Sequence, residues 1–185
     1  PGARAALPWL SAASRLLPSD YGNVSFDYKL RRFLTGATRP VVQAHASFLG
    51  AFLEEEMREI LQPDVLQALD PGAPWSELEG HFAAAEGANA GEALSFLDLK
   101  TYMGDDILVK VDRASMACSL EVRVPFLDHR VVEMAARIPW GLKLRGTTTK
   151  YLLKKAVAPR LPQGIVDRPK KGFGMPVAQW LKGPW

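Results

Sequence analysis

The sequence predicts a mostly α-helical protein, and two observations support this fold class. Apolar residues recur three or four positions apart through most of the 185-residue chain, a spacing typical of helices that bury one face. Proline and glycine separate these periodic segments, and no pair of strands with alternating polarity is apparent. The chain is 48% hydrophobic, which is sufficient for a packed core. We therefore expect one helical domain.

The first half of the chain predicts three helices. Pro8 suits the first turn of a short helix because the missing proline N–H costs nothing there. A second helix ends at Gly36, a residue that often terminates helices. The longest helix is predicted over residues 41–61, before a break at Pro63. The apolar faces of the second and third helices should contain Phe26, Leu30, Phe33 and Leu34, and Val41, Phe48, Phe52 and Leu53.

Three further helices are expected over residues 77–88, 91–103 and 105–119, with Gly104 separating the last two. Asp105 and Asp106 would open the third of these, where the helix dipole favours negative charge.

The remaining elements are short. Residues 121–127 should be extended, because Pro125 does not continue a helix. Asp128 should be the N-cap of a helix that ends before Pro139. Thr147 to Thr149 should cap the next helix, and Pro176 should open a last one.

Composition excludes some classes of protein. No apolar run reaches the roughly 18 residues that a membrane span needs, and no secretory signal is visible. Cys118 is the only cysteine, which excludes an internal disulfide and suits a reducing, cytoplasmic compartment. Its apolar neighbours predict a buried thiol. The chain starts without methionine and stops within an amphipathic stretch, so we expect a piece of a longer protein.

Charge is distributed unevenly along the chain. Residues 1–99 contain 7 Lys/Arg against 13 Asp/Glu, whereas residues 100–185 contain 16 against 7. The second half should therefore face an anion. A helical module that binds nucleic acid is one alternative, but the aromatic residues are not interleaved with the cations and no recognition motif is present. We predict no nucleic-acid partner. A structural interaction domain without nucleotide binding is a further alternative.

Two pairs of charged residues are candidates for a site. Asp106 and Lys110 are four residues apart, so they share one helix face and could form an ordinary surface ion pair. Glu121 and Arg123 would point to the same side of an extended segment bordered by apolar residues. Charges that are partly buried in this way must be paired or serve a ligand, and the sequence leaves both readings open.

The segment VDRPKKGFGMP, residues 166–176, places Lys170 and Lys171 beside Gly172 and Gly174. Glycine lets a ligand approach the backbone, and lysine supplies a mobile charge for a phosphate. A solvated surface loop is the alternative. His45, His81 and His129 lack the spacing of metal ligands, so we predict no metal site formed by protein ligands, and no P-loop motif is present.

Several motifs together resemble a known family. They are YMGDDILVKVDRASMACSLEVRVPFLDHRVVEMAARIP, LKLRG, the lysine before YLLKKA, and RPKKGFGMPVAQWL. In this order and spacing they resemble the C-terminal synthetase domain of glutamine-hydrolysing asparagine synthetases. The resemblance is close over residues 97–181, whereas residues 1–96 fit only as the variable helical segment of that domain.

The resemblance implies an ATP-dependent ligase. In this family ammonia from a glutaminase domain reacts with a β-aspartyl-AMP intermediate made from aspartate and ATP, with Mg²⁺ on the phosphates. The implied fold is the C-terminal helical portion of an α/β domain of the adenine-nucleotide-hydrolase-like (PP-loop) type. The PP-loop and the glutaminase domain are expected before residue 1, so the chain alone should be inactive. A related amidotransferase acting on another carboxylate is the runner-up, and a homodimer is kept open.

The resemblance also assigns roles to residues. Lys170 matches a catalytic lysine that stabilises charge on pyrophosphate or the intermediate. Lys110 and Arg123 match positions that bind substrate and nucleotide, and Asp106 is assigned as their partner. The organising positions of the signature E-x-R-V-P-F-L-D are Glu121 and Asp128.

Overall fold

A computed structural model of the chain describes residues 26–50, 54–70 and 72–169, together with residues 14, 52, 180, 181 and 183. The described residues fall into two compact units, one within Pro1–Phe82 plus Gly172–Trp185 and the other within Ala83–Lys171. Helices dominate both units, which confirms the mostly α-helical prediction. None of the described helices is long and apolar enough to span a bilayer.

The first five helices are α1 (Phe26–Ala37), α2 (Val41–Leu49), α3 (Glu54–Ile60), α4 (Pro63–Ala68) and α5 (Ala73–Ala83). Helices α1 and α2 pack closely where Gly36 faces the next helix. A Cβ at Gly36 would lie 3.2 Å from both Phe48 Cε2 and Ser47 Oγ. Leu34 and Val42 are the buried apolar residues of this pair of helices.

A buried guanidinium joins α1 to α2. Arg32 is only 3% exposed, and its Nη1 donates a 2.9 Å hydrogen bond to the carbonyl oxygen of Ser47. The same side chain approaches Glu56 Oε2 at 3.7 Å and lies 5.1 Å from the centre of the Tyr28 ring. Because buried charge needs partners, these contacts fix the position of α1 against its neighbours.

The predicted helix over residues 41–61 is wrong as a single helix. The backbone leaves the helix at Gly50, which has φ −70° and ψ 146°, and glycine is a weak helix former. The predicted apolar faces are also wrong in part, because Phe26, Phe33, Phe48 and Phe52 are all exposed whereas Leu34 is buried. Tight packing at Gly36 and the buried Arg32 determine which side of α1 faces inward.

In the second unit a continuous helical path runs from Ala90 to Met116. It comprises α6 (Ala90–Asp98), a π-helical segment (Leu99–Leu108) and α7 (Val109–Met116). Asn89 caps α6, because its side chain accepts a 3.0 Å hydrogen bond from the Glu92 N–H. The predicted interruption at Gly104 is wrong: the wider π-helical turn carries the backbone through it, and Asp105 and Asp106 do not open a helix.

The rest of this unit consists of short elements. They are a 3₁₀ turn (Pro125–Leu127), α8 (His129–Arg137), α9 (Trp140–Lys143), β1 (Leu144–Arg145), β2 (Thr148–Thr149), α10 (Tyr151–Val157) and a second 3₁₀ turn (Ala158–Arg160). The strands pair antiparallel, with Leu144 opposite Thr149. The predicted threonine cap is wrong, because Thr148 and Thr149 form β2 and Lys150, with φ 55°, precedes α10.

Three further predictions concern Cys118, the extended segment at residues 121–127, and the helices at Pro8 and Pro176. Cys118 is exposed, so the predicted buried thiol is wrong. Residues 121–124 lack regular secondary structure, and Val124 has an extended backbone, in partial agreement with the predicted extended segment. Apart from residues 14, 180, 181 and 183, the helices predicted to start at Pro8 and Pro176 lie outside the described residues.

Trp140 anchors the short elements to α6. A Cβ at Gly91 would lie 2.3 Å from Trp140 Cζ2 and 2.5 Å from Cε2, so only glycine allows the indole to reach this backbone. Lys143, on the same helical turn as Trp140, lies 4.0 Å from Glu92 Oε1 and donates a hydrogen bond to the carbonyl oxygen of Ala136.

We expect Gly91→Ala to lower the free energy of unfolding by about 1–3 kcal/mol, because the new methyl group overlaps the indole. Gly141→Ala is the matched control in the same unit: nothing lies within 4 Å of its Cβ position, so it should stabilise the protein by about 0.5–1 kcal/mol. Thermal or urea unfolding followed by circular dichroism measures both. A stabilising effect of Gly91→Ala would contradict the close contact.

Candidate functional site

The first candidate pair lies at the end of the π-helical segment. Lys110 Nζ is 3.0 Å from Asp106 Oδ1 and donates a 3.1 Å hydrogen bond to Oδ2. The predicted pairing four residues apart is confirmed. The Lys110 side chain is 64% exposed, so the pair contributes roughly 0–1 kcal/mol at most, and a stronger anion can displace the aspartate from the lysine.

The second candidate pair lies in the irregular segment after α7. Arg123 Nε donates a 2.8 Å hydrogen bond to Glu121 Oε1, and Arg123 Nη2 lies 2.8 Å from the same oxygen. The two residues do pair on one side of the segment. The prediction that they are partly buried is wrong, because the Arg123 side chain is 87% exposed; the apolar residues beside it, Leu120 and Phe126, are exposed as well.

Asp128 is the N-cap of α8, as predicted. Its Oδ1 accepts a 2.9 Å hydrogen bond from the Arg130 backbone N–H, and the Arg130 guanidinium donates to both carboxylate oxygens at 3.0 and 2.9 Å. The side-chain hydrogen bond from Arg130 is the main reason that the pKa of Asp128 lies below its ordinary value of 3.8. The sequence did not lead us to predict Arg130 as the partner of Asp128, although the two residues are only two positions apart.

The described contacts hold each pair together locally. Among the described residues, no hydrogen bond or ion pair connects the Asp106–Lys110 pair with the Glu121–Arg123 pair. Lys170, the residue to which the family resemblance gives the catalytic role, lies outside the described residues, as do Lys171, Gly172 and Gly174. Its role therefore stays a prediction.

A third group of polar residues was not predicted. Tyr151 accepts a hydrogen bond from Arg145 Nη1, and Lys155 Nζ lies 5.3 Å from the ring centre. Hydrogen bonds from Lys155 and then Arg145 lower the pKa of the Tyr151 phenol below 10.0. The four-residue spacing of Tyr151 and Lys155 was a readable signal, whereas the approach of Arg145 depends on the β1–β2 hairpin.

The second unit also contains an apolar cavity of about 510 Å³. Its walls come mainly from α8, α9, the hairpin and α10, and its lining includes Lys143 and Lys150. The main apolar lining residues are Phe126, Val131, Met134, Ala135, Ile138, Trp140, Leu142, Leu144, Leu152, Leu153 and Ala156. This lining suits an apolar group rather than a polar substrate.

The part of the chain that the structure describes contains no group of three or more His, Cys, Asp or Glu side chains arranged to hold a metal ion.

The described fold is helical, and its second unit holds the cations Lys110 and Arg123 in exposed ion pairs. The asparagine synthase family model matches residues 5–185, and the chain therefore belongs to the asparagine synthase family. No solved structure shows significant similarity to the chain.

Curated relatives agree with this assignment. A putative asparagine synthetase [glutamine-hydrolyzing] of Mycobacterium tuberculosis is 41% identical over 139 residues, which is 74% of this chain and 20% of the relative. Asparagine synthetase [glutamine-hydrolyzing] 1 of Bacillus subtilis is 37% identical over 67% of this chain and 20% of its own length. The amidase chry2 of Gibberella zeae is 31% identical over 48% of this chain and 14% of the relative. The chain thus spans about a fifth of the synthetases' length.

We expect Asp128→Ala to lower the thermal unfolding midpoint more than Asp128→Asn, because asparagine keeps the N-cap acceptor and loses only the charge. The folded-state pKa of Asp128 lies below 3.8, so its electrostatic contribution is present above that pH and is lost as pH falls through the folded-state pKa. Unfolding curves between neutral and acidic pH measure this. An unchanged difference between wild type and Asp128→Asn down to the lowest pH would contradict it.

Proposed function

We propose that the chain is the C-terminal helical part of the synthetase domain of an ATP-dependent ligase that converts aspartate to asparagine. The observation that carries this proposal is the family match over residues 5–185. The sheet-containing PP-loop part of the α/β domain and the glutaminase domain belong to the proposed full-length protein. In this proposal residues 1–96 are its variable helical segment and residues 97–181 its signature segment.

The proposed reaction has two steps. An oxygen of the aspartate β-carboxylate attacks the α-phosphorus of ATP, and the bond to the leaving pyrophosphate breaks. Glutamine-derived ammonia then attacks the acyl carbon of β-aspartyl-AMP, loses a proton to form the amide, and releases AMP. Both steps develop negative charge on phosphate oxygens, and fixed cations in a site of low water content stabilise such charge strongly.

Two exposed cations could serve this chemistry. Lys110 and Arg123 each have a carboxylate partner within about 3 Å, and exposed pairs of this kind are weak. A substrate phosphate or carboxylate can therefore take the place of Asp106 or Glu121. Meanwhile the Asp128 cap holds the start of α8 next to the segment that carries Arg123.

Lys170 completes the proposed set of cations, and its positive charge would stabilise the departing pyrophosphate. Mg²⁺ would neutralise ATP phosphates in the full-length protein.

Isotope transfer tests the proposed chemistry. When the full-length protein receives ATP, glutamine and aspartate with heavy oxygen in the β-carboxylate, one labelled oxygen should appear in AMP for each asparagine formed. Mass spectrometry of AMP measures it. Formation of ADP and phosphate, or AMP without label, would exclude the acyl-adenylate route.

We expect Lys170→Ala in the full-length protein to lower kcat by about 100- to 1,000-fold, the cost of removing one group that stabilises transition-state charge. Lys171→Ala removes the same charge at the adjacent residue and should change kcat less than tenfold. Steady-state pyrophosphate release gives both values. Equal losses in the two variants would show that only the total charge of the segment matters.

The 185-residue chain should show no aspartate-dependent pyrophosphate release with ATP and ammonia, because the proposed nucleotide-binding sheet is a different part of the synthetase domain. A coupled pyrophosphate assay tests this, with the full-length protein as the positive control. Measurable pyrophosphate release by the chain alone would refute the proposal that catalysis needs another part of the synthetase domain.

A related amidotransferase that acts on another carboxylate is the second candidate. The similarity to proteins named amidases, chry2 at 31% and chyE of Penicillium rubens at 33% identity, favours keeping it. Mass spectrometry of products formed from aspartate and other carboxylates separates the two. A cytoplasmic location and the absence of a nucleic-acid partner stay predictions, and so does a homodimer.

A further inference from the structure

The second unit contains a segment with an unusual charge distribution. Residues 134–166 contain seven Lys/Arg and no Asp/Glu. This segment includes the β1–β2 hairpin and α10. Because local carboxylates are absent from its sequence, any neutralisation of its positive charge must come from elsewhere in the protein or from a bound anion.

Within this segment three side chains converge. Arg145 Cζ lies 5.0 Å and Lys155 Nζ 5.3 Å from the centre of the Tyr151 ring. Arg145 Nη1 also donates a hydrogen bond to the phenol oxygen. Among the described residues, no carboxylate forms an ion pair with Arg145 or Lys155. The cluster therefore has many donors and a single acceptor, the phenol oxygen.

The backbone fixes this convergence. Pairing of Arg145 with Thr148, and Gly146 with φ 58°, turn the chain back within two residues. Lys150, with φ 55°, then directs the chain into α10, so that Tyr151 begins the helix beside Arg145. Lys155 lies one turn further along the same face. Arg145 and Lys155 are exposed and Tyr151 is half-buried, so a small ligand can reach all three.

We propose that Arg145, Tyr151 and Lys155 form a binding site for a phosphate group. A phosphate oxygen would accept from the Arg145 guanidinium, whose planar donors match phosphate geometry, and from the Lys155 ammonium. The Tyr151 hydroxyl, which accepts a hydrogen bond from Arg145, would donate its own proton to another phosphate oxygen. The site is independent of the proposed ligase residues, and free phosphate or the phosphate of a nucleotide could occupy it.

Phosphate binding has a local spectroscopic signature. An anion between the two cations cancels the charge that stabilises tyrosinate, so the pKa of Tyr151 should rise on binding. The full-length protein is titrated by ultraviolet absorbance, and the Tyr151→Phe spectrum is subtracted to isolate this residue. Inorganic phosphate is the probe, and sodium chloride at equal ionic strength controls for screening.

We expect a saturable rise in the Tyr151 pKa with phosphate and none with chloride. Arg145→Gln and Lys155→Gln should each weaken phosphate binding about tenfold, measured by calorimetry, because each removes one charged donor. Lys100→Gln is the matched control, since it removes an exposed cation that stacks on Phe96 and should leave binding unchanged. Far-ultraviolet circular dichroism checks that each variant is folded.

The source of the phosphate is distinguished by a second probe. If AMP saturates the rise in the Tyr151 pKa at a lower concentration than inorganic phosphate does, the ligand is a nucleotide. The reverse order would indicate free phosphate. Equal responses to phosphate and chloride, or unchanged phosphate binding in both folded variants, would overturn the proposal. These results leave the ligase proposal untouched, because pyrophosphate release and isotope transfer are measured separately.

Discussion

The contact between the Trp140 indole and the α6 backbone at Gly91 is the constraint on which the second unit depends. The positions of Cζ2 and Cε2 leave no room for a Cβ at Gly91, and the Glu92–Lys143 pair lies one residue along the helix from this contact. Through Trp140 the hairpin and α10 are attached to the same helix that continues into the π-helical segment and Lys110. Gly91 thus couples residues 134–166, which are rich in Lys and Arg, to the continuous helical path that carries Asp106 and Lys110.

How much of the molecule could be predicted depended on sequence separation. The Asp106–Lys110 pair and the Asp128 cap join residues two to four apart, so helix geometry alone indicates them. The hydrogen bond from Arg32 to Ser47 spans 15 residues, and no local sequence pattern predicts it. For the same reason the apolar faces of α1 and α2 were predicted incorrectly, because a buried arginine and a close approach at Gly36 set the packing.

Whether a glycine ends a helix or lies within one was equally hard to predict. Gly50 ends α2, whereas Gly104 lies inside a continuous helix, although both interrupt similar periodic stretches of sequence. The difference lies in the neighbouring structure: at Gly104 a π-helical turn accommodates the chain between two well-formed helices. Helix propensity is a small energy, about 1 kcal/mol for glycine relative to alanine, and tertiary context overrides it easily.

The weakness of the candidate ion pairs is itself informative about function. A buried pair would hold its cation permanently, since separating desolvated charges is expensive. Lys110 and Arg123 are instead exposed and paired with carboxylates on their own segments, where pairing contributes roughly 0–1 kcal/mol. Each carboxylate keeps its cation oriented without competing strongly for it. A phosphate carries more charge than a carboxylate and presents more acceptor oxygens, so it can displace Asp106 or Glu121. The sequence did not predict that Glu121 and Arg123 would be exposed. By the same reasoning, this exposure is compatible with a role of the pairs in binding an anionic substrate.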